Sequence, residues 1–217
     1  MIKNELLKLE TLPYFTTSQL HSITSENKNT LKKSINRFLS KKILVQIKKG
    51  TYVTTKYIEN LAEDEKMPYY EFLASILRNP SYLSSEYVLT KYDMLTESSY
   101  IHTSITTKNT KTYNNDLGIF KYQKMKEDLF EGYETKYFRD KPYYIATIPK
   151  ALFDYIYFRT ETINLGKNTN LVEELRLKTN ILSKKNWSEL KKYGKKSKNN
   201  KVIKIIENLE KYAPNNN

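Results

Sequence analysis

Apolar residues recur along this chain with two different periods, and the change from one to the other outlines its first unit. Over 27–40, Leu31, Ile35, Phe38 and Leu39 fall at i, i+4, i+7 and i+8, the stripe of an amphipathic helix. Two short β-forming runs follow at once, Ile43–Ile47 and Thr51–Thr54, separated by Lys48-Lys49-Gly50. A gap of a few residues containing Gly between such runs is a hairpin signal. Two shorter helices come first. One covers Asn4–Leu12, with Leu6, Leu7, Leu9 and Leu12 as its apolar positions and Pro13 as its stop. The other runs through Gln19–Ser22, opened by Thr16-Thr17-Ser18-Gln19, where Thr precedes Gln by three residues as in a capping box. Ser25 or Asn27 caps the long helix. Helix, helix, longer helix and hairpin in about 55 residues is the layout of a winged helix-turn-helix.

Beyond Tyr57–Met67, an acidic link with Glu59, Glu63, Asp64 and Glu65, the pattern changes. The boundary therefore falls near residue 60, dividing a winged-helix domain over 1–60 from a second domain over 61–217. Pro68 suits the first turn of a helix carrying Tyr70, Leu73, Ala74 and Leu77, which Asn79-Pro80 ends. Ser81-Tyr82-Leu83 reads as a short strand, and Ser84 or Ser85 with Glu86 opens a helix towards Leu95. The stretch 81–146 is β-rich, with strands at Tyr100–Thr106, Thr110–Tyr113, Gly118–Lys124 and Lys141–Ala146. Turns fall at Asn114-Asn115-Asp116 and Glu131-Gly132. The stretch 147–213 is helical: Thr147 caps a helix with Pro149 in its first turn, and others follow over 168–180, 187–193 and 199–212. For 187–193 the expected signals are Asn186 with Glu189 as capping box and Gly194 after the end. The expected fold class is α+β: an N-terminal winged helix-turn-helix, then a mixed α/β domain with a C-terminal helical segment.

Charge gives the first unit its partner. Residues 27–58 hold nine basic side chains and no acidic one. Residues 1–60 hold 11 basic and 4 acidic side chains, 61–180 hold 16 and 17, and 181–217 hold 10 and 3. Two basic ends around a neutral middle point to a polyanion bound at one end or both. At about 100° per residue, Asn29, Lys33, Asn36, Arg37 and Ser40 lie opposite the apolar stripe of the long helix, with Thr30 and Lys41 beside them. Asn suits adenine edges and Arg or Lys guanine, and the N-terminal part of a recognition helix meets the bases. Asn29, Thr30, Lys33, Asn36 and Arg37 are accordingly the base-reading candidates, and Lys32, Ser40 and Lys41 complete the contact set on double-stranded DNA. Lys28 and Lys42 fall nearer the apolar side, where they snorkel or touch phosphates. Lys48 and Lys49, at the hairpin tip, are placed on the DNA backbone or minor groove. Near the other end, Lys191, Lys192, Lys195, Lys196 and Lys198 form a candidate second basic surface, with a plain solvated face as the alternative.

Other chemistry has little material. With no cysteine and only His21 and His102, the chain lacks the residues for a disulfide framework, a Cys-based zinc site or a His-rich centre. No cofactor or metal is expected. Met1–Glu10 lacks the apolar core of a signal peptide, and no run approaches the ~20 apolar residues of a membrane span. A cytoplasmic protein without membrane contact is expected. Glu134-Thr135-Lys136, downstream of Asp116 and Asp128, loosely matches the metal-binding core of a nuclease, where carboxylates hold Mg²⁺. The competing reading, a charge pattern on a strand edge, is preferred, and no catalytic residue is assigned. Tyr69-Tyr70, Tyr143-Tyr144 and Tyr155 with Tyr157 read as core rather than as base-stacking platforms. His102 reads as a half-buried strand residue.

Five segments occur in order over 81–158: Ser81-Tyr82-Leu83-Ser84, Ser104-Ile105-Thr106-Thr107-Lys108, Leu117-Gly118-Ile119-Phe120-Lys121-Tyr122, Leu129-Phe130-Glu131-Gly132-Tyr133-Glu134, and Ile145-Ala146-Thr147 followed by Lys150-Ala151-Leu152-Phe153-Asp154. Together they resemble the AbiEi antitoxin family of type IV toxin–antitoxin, or abortive infection, systems. The resemblance extends over the basic helix and hairpin ahead of them and the Asn200-Lys201-Val202 helix behind. It implies a winged helix that represses its own operon by binding inverted repeats in the promoter. It also implies a second domain that counteracts a nucleotidyltransferase toxin without a stable complex between the two. The chain departs from the family pattern at Ile148-Pro149 and at Asn109. Two other readings stand beside it: a winged-helix transcription factor whose second domain binds a ligand or partner, and the targeted nuclease.

Overall fold

The computed structural model describes residues 7–24, 26–96, 101–166 and 168–214. Of the helix expected over Asn4–Leu12, 7–9 are helical and the chain then turns; 1–6 lie outside the described residues. Strand β1 (Phe15–Thr16) leads directly into helix α1 (Thr17–Ile23). The expected capping box is formed: the Thr16 hydroxyl accepts from Gln19 N at 3.2 Å, and Gln19 Oε1 accepts from Thr16 N at 2.8 Å. Helix α2 (Lys28–Ser40) is capped by Asn27, whose Oδ1 accepts from Thr30 N at 2.9 Å. The alternative cap, Ser25, lies outside the described residues.

Strands β2 (Leu44–Lys48) and β3 (Thr51–Thr54) pair antiparallel, and β1 joins the other side of β3. β1 has too few residues to show an alternation, so the sequence pattern did not reveal it. Gly50, at φ 76°, supplies the left-handed turn residue, and its carbonyl accepts from Thr17 N at 2.9 Å, tying the hairpin tip to α1. Beneath lies a small core of Leu9, Phe15, Leu20, Leu31, Ile35, Leu44 and Tyr52. Burying side chains such as Leu31 and Ile35 contributes about 1.5–3 kcal/mol each, which holds α2 on the sheet with its polar side outward.

The acidic stretch is helix rather than linker. After α3 (Thr55–Glu59), helix α4 spans Glu63–Leu77, with Glu63, Asp64 and Glu65 in its first turn, where the helix dipole favours carboxylates. Glu65 Oε2 also accepts from Ala62 N at 3.2 Å. Pro68 therefore sits inside α4 and not in its first turn. The two expected domains are also joined by packing. Ile47, Val53, Tyr57 and Leu61 belong to the large core shared with α4 and the second sheet. Across this junction Tyr69 OH donates to Pro13 O at 2.8 Å, and Asn115 Nδ2 donates to Ile47 O at 2.8 Å.

The second part is built on a six-stranded mixed sheet. Its strands are β4 (Tyr82–Leu83), β5 (Ile101–Thr106), β6 (Lys111–Asn115), β7 (Gly118–Lys124), β8 (Tyr133–Phe138) and β9 (Lys141–Ala146), in the order β6-β7-β5-β4-β9-β8. Pairs β5–β7 and β4–β9 are parallel and the rest antiparallel. The expected strands shift by a residue or two at their ends, and Tyr100 lies outside the described residues. β8 had no bounds among the expected strands, although Glu134 and Lys136 read as a charge pattern on a strand edge, because its Tyr and charged residues leave only Phe138 buried and show no apolar face.

Between β4 and β5 lies α5 (Ser85–Lys91), which stops short of Leu95. Helix α6 (Ile148–Arg159) follows β9 with Thr147 at its N-cap position. The helix expected over 168–180 is replaced by the single turn α7 (Leu171–Glu174) and a 3₁₀ turn at Thr179–Ile181. Helix α8 spans Lys184–Ser197 and is capped by Ser183 with Asn186, not by Asn186 with Glu189. Gly194 lies within it rather than after it. A Cβ there would stand 2.7 Å from Ile206 Cδ1, so the glycine lets α9 (Asn200–Lys211) pack closely. The molecule is thus mixed α+β. Among the described residues no helix is long and apolar enough to cross a membrane.

Candidate nucleic-acid interface

Helix α2 buries Leu31, Ser34 and Ile35 and leaves its other sides open. Asn29, Thr30, Lys32, Lys33, Asn36, Arg37, Ser40 and Lys41 are all exposed. The Arg37 guanidinium lies 5.3 Å from the Phe38 ring centroid, which restrains it along the helix, and Ser40 Oγ donates to Arg37 O at 2.9 Å. The sequence-derived face is therefore one continuous surface of amides, hydroxyls and cations.

The two hairpin lysines separate. Lys49 is exposed at the tip. Lys48 turns the other way: its Nζ donates to Ile76 O at 2.6 Å and Leu77 O at 3.3 Å, the carbonyls at the C-terminal end of α4. Burial lowers this ammonium below the usual lysine range; Tyr113 pulls it back up, and Lys108 and Lys111 push it further down. A cation at a helix C-terminus satisfies orphan carbonyls and complements the dipole. Lys48 thus fastens the hairpin to the second part instead of standing free for a polyanion.

Lys28, set aside in sequence as nearer the apolar side, gains a place. It lines an open cleft of about 550 Å³ between α1, α2 and the hairpin turn, together with His21, Lys32 and Lys49 over a floor of Leu31, Ile35 and Tyr52. Lys28 and Lys32 are one helical turn apart on the flank that faces the turn. That neighbourhood depends on where the hairpin folds back, which helical periodicity alone does not specify. Lys42 adopts a left-handed conformation (φ 55°) just after the helix, and its carbonyl accepts from Thr55 Oγ1.

The second basic surface is less open than its sequence. Lys191 Nζ pairs with Glu210 at 2.8 Å and Lys196 Nζ with Glu131 at 2.7 Å. Lys192, Lys195 and Lys198 are exposed. Lys192 and Lys196 also line a cleft of about 250 Å³ with Glu131, Gly132, Glu189 and Tyr193, so both signs of charge meet there.

Below that cleft lies a buried ion pair that sequence reasoning did not single out. Lys150 Nζ stands 2.7 Å from Asp154 Oδ1, and both side chains are fully buried on α6. Nζ also donates to Leu129 O at 2.8 Å and lies 4.6 Å from the Phe153 ring centroid. Ser84 Oγ and Tyr82 OH donate to Asp154 Oδ2 at 2.7 and 3.1 Å. Burial pushes the Asp154 carboxyl above its usual range, against the pull of Lys150 and the two hydroxyls. Three of the five sequence segments meet here. Beyond their place in those segments, the pair's own signal in the sequence was the i, i+4 spacing of Lys150 and Asp154.

A second buried carboxylate, Glu71 of α4, accepts from Tyr87 OH at 2.7 Å and Tyr143 OH at 2.8 Å and is paired with Lys91. Tyr69, Tyr143 and Tyr155 are core residues, as expected, whereas Tyr70 and Tyr157 are half-buried against the core and Tyr144 is exposed. His102 stacks on Phe120 at 4.8 Å between ring centroids. Glu134 pairs with Lys136 on the edge strand at 2.8 Å. Among the described residues, no three His, Cys, Asp or Glu side chains are gathered as a group that could hold a metal ion, and Asp116, Asp128 and Glu134 are not brought together in one. No protein-family model matches the chain, and no curated protein matches it.

Proposed function

We propose that the N-terminal unit is a winged helix that binds double-stranded DNA, with α2 in the major groove and Lys49 of the hairpin turn on the backbone. The observation that carries this reading is the open face of α2, where Asn29, Lys33, Asn36 and Arg37 stand together on a helix anchored by its opposite side. No carboxylate occurs over 27–58 to repel phosphates. In this reading the protein recognises inverted repeats in its own promoter and represses transcription.

For the second part, the resemblance to AbiEi antitoxins is the guide. We propose a protein without catalytic chemistry of its own that counteracts a nucleotidyltransferase toxin in the cytoplasm, without forming a stable complex with it. The meeting of Tyr82, Ser84, Leu129, Lys150 and Asp154 around one buried ion pair supports treating the scattered segments as one structural signature. The mixed-charge cleft over Gly132 and Tyr193 favours one second reading, a winged-helix regulator whose second domain takes a polar ligand or partner.

The test is a titration of fluorescent duplexes with the purified chain at fixed salt. Selective retention of the fragment upstream of its own gene over a shuffled duplex is expected. Equal affinity for both would reject sequence-specific repression. Co-expression with a nucleotidyltransferase from the adjacent gene then separates the two readings of the second domain, because only an antitoxin restores growth.

A further inference from the structure

Strand β8 is the outer member of the six-stranded sheet, and no strand among the described residues pairs with its free edge. Residues 133–137 are exposed, Tyr137 to 63%. The backbone groups on that edge can be assigned from the β9 side. Thr147 N donates to Gly132 O at 3.0 Å, in register with the β8–β9 ladder, so even-numbered positions direct their N–H and C=O towards β9. By antiparallel alternation, those of Tyr133, Thr135 and Tyr137 point outward, unpaired. Such an edge is a template for another strand.

We propose that β8 pairs antiparallel with β8 of a second copy of this chain, about a two-fold axis at Thr135. The choice of partner and register comes from charge. Glu134 and Lys136 now pair with each other along one strand at 2.8 Å. With the axis at Thr135, Glu134 of each copy lies opposite Lys136 of the other, and Tyr133 opposite Tyr137. A shift to an axis at Glu134 sets Glu against Glu, and one at Lys136 sets Lys against Lys. Parallel pairing in register also sets like against like. Like charges directly opposite destabilise a sheet pair, whereas opposite charges and aromatic pairs stabilise it. The outward groups of Tyr133, Thr135 and Tyr137 then form about six backbone hydrogen bonds across the axis. The exposed aromatic row of Tyr133, Tyr137 and Tyr144 is doubled on one face. The interface is isologous, so the sheet continues through both copies and stops there.

This dimer goes beyond the proposed function and stands without it. It is tested by sedimentation velocity on the full chain, without DNA. The wild type is expected to be dimeric at tens of micromolar. Glu134→Lys and Lys136→Glu each set like charges opposite at both symmetric positions and should weaken the dimer about tenfold or more. An equimolar mixture of the two variants restores Lys opposite Glu and should recover a dimer, as should the double exchange within one chain. A wild type that stays monomeric, single variants that associate like wild type, or a mixture that does not recover would each overturn the proposal. Affinity for a duplex carrying one half-site, measured on the same proteins, reports on DNA binding separately.

Discussion

Lys150 Nζ and Asp154 Oδ1 lie 2.7 Å apart with neither side chain reaching solvent. Taking both charges out of water is tolerated because each finds further partners: Leu129 O for the ammonium, Ser84 and Tyr82 for the carboxylate. The pair fixes α6 against β4 and against the turn before β8.

Removing one member strands the other. Asp154→Asn keeps the shape and an acceptor for the two hydroxyls but leaves Lys150 buried and unpaired. It should cost about 3–5 kcal/mol in urea unfolding. Lys150→Met combined with Asp154→Asn leaves no buried charge and should recover most of that loss. A double variant as unstable as the single would contradict the account.

Lys48 and Lys49 are neighbours with opposite duties. Lys48→Met deprives Ile76 O and Leu77 O of their donor and should lower stability by about 1–3 kcal/mol, while leaving the salt dependence of DNA affinity unchanged. Lys49→Ala should barely affect unfolding and should reduce the slope of log affinity against log salt by about one. Urea titration and duplex titration over a salt series separate the two; matching effects would refute the distinction.

Gly132 stands at φ 76°, and a Cβ there would meet the Tyr193 hydroxyl and, at 2.9 Å, Lys150 Cγ. Gly132→Ala combines backbone strain with overpacking against the buried pair and should cost about 1–3 kcal/mol. Gly118→Ala provides the comparison, since its φ is 130° but nothing lies within 4 Å. Equal losses at the two positions would show that packing at Gly132 contributes nothing.

His102 gives a dependence on pH. Burial holds its imidazole below the ordinary value of 6.5, against the pull of Glu71 and of a backbone hydrogen bond at Ile119. The unfolded chain therefore takes up the proton first. Stability contributed at this site is complete above pH 6.5 and is lost as pH falls from there through the folded value. Urea midpoints should drop from pH 7.5 to 5.5 more steeply in the wild type than in His102→Phe. Parallel drops would remove His102 as the cause.

How much of this was legible in the sequence depends on the range of the interaction. The Thr16–Gln19 box, the Asn27 cap, the α2 stripe and the β2–β3 hairpin are local, and residues 16–54 already hold their signals. The open polar side of α2 followed from the same stripe. Pro68 misled, because a proline is read as a helix start, while the carboxylates Glu63 to Glu65 begin α4 a turn earlier. Gly194 misled likewise, since its reason is Ile206 on another helix. Strand β8 has no apolar alternation because it lies at an edge. Lys48 and the Lys150–Asp154 pair were out of reach for a common reason. Their further partners lie far along the chain: Ile76 and Leu77 for Lys48, Leu129 for Lys150, and Tyr82 on β4 with Ser84 just after it for Asp154.

The central claim is that α2 reads DNA with its exposed face. The most direct measurement compares the wild type with the double variant Lys33→Ala, Arg37→Ala in titrations of the native promoter fragment and a shuffled duplex. Both residues are exposed, so the unfolding midpoint should stay unchanged while retention of the promoter fragment is abolished. Undiminished, promoter-selective binding by the folded double variant would contradict the account and move the reading surface elsewhere on the molecule.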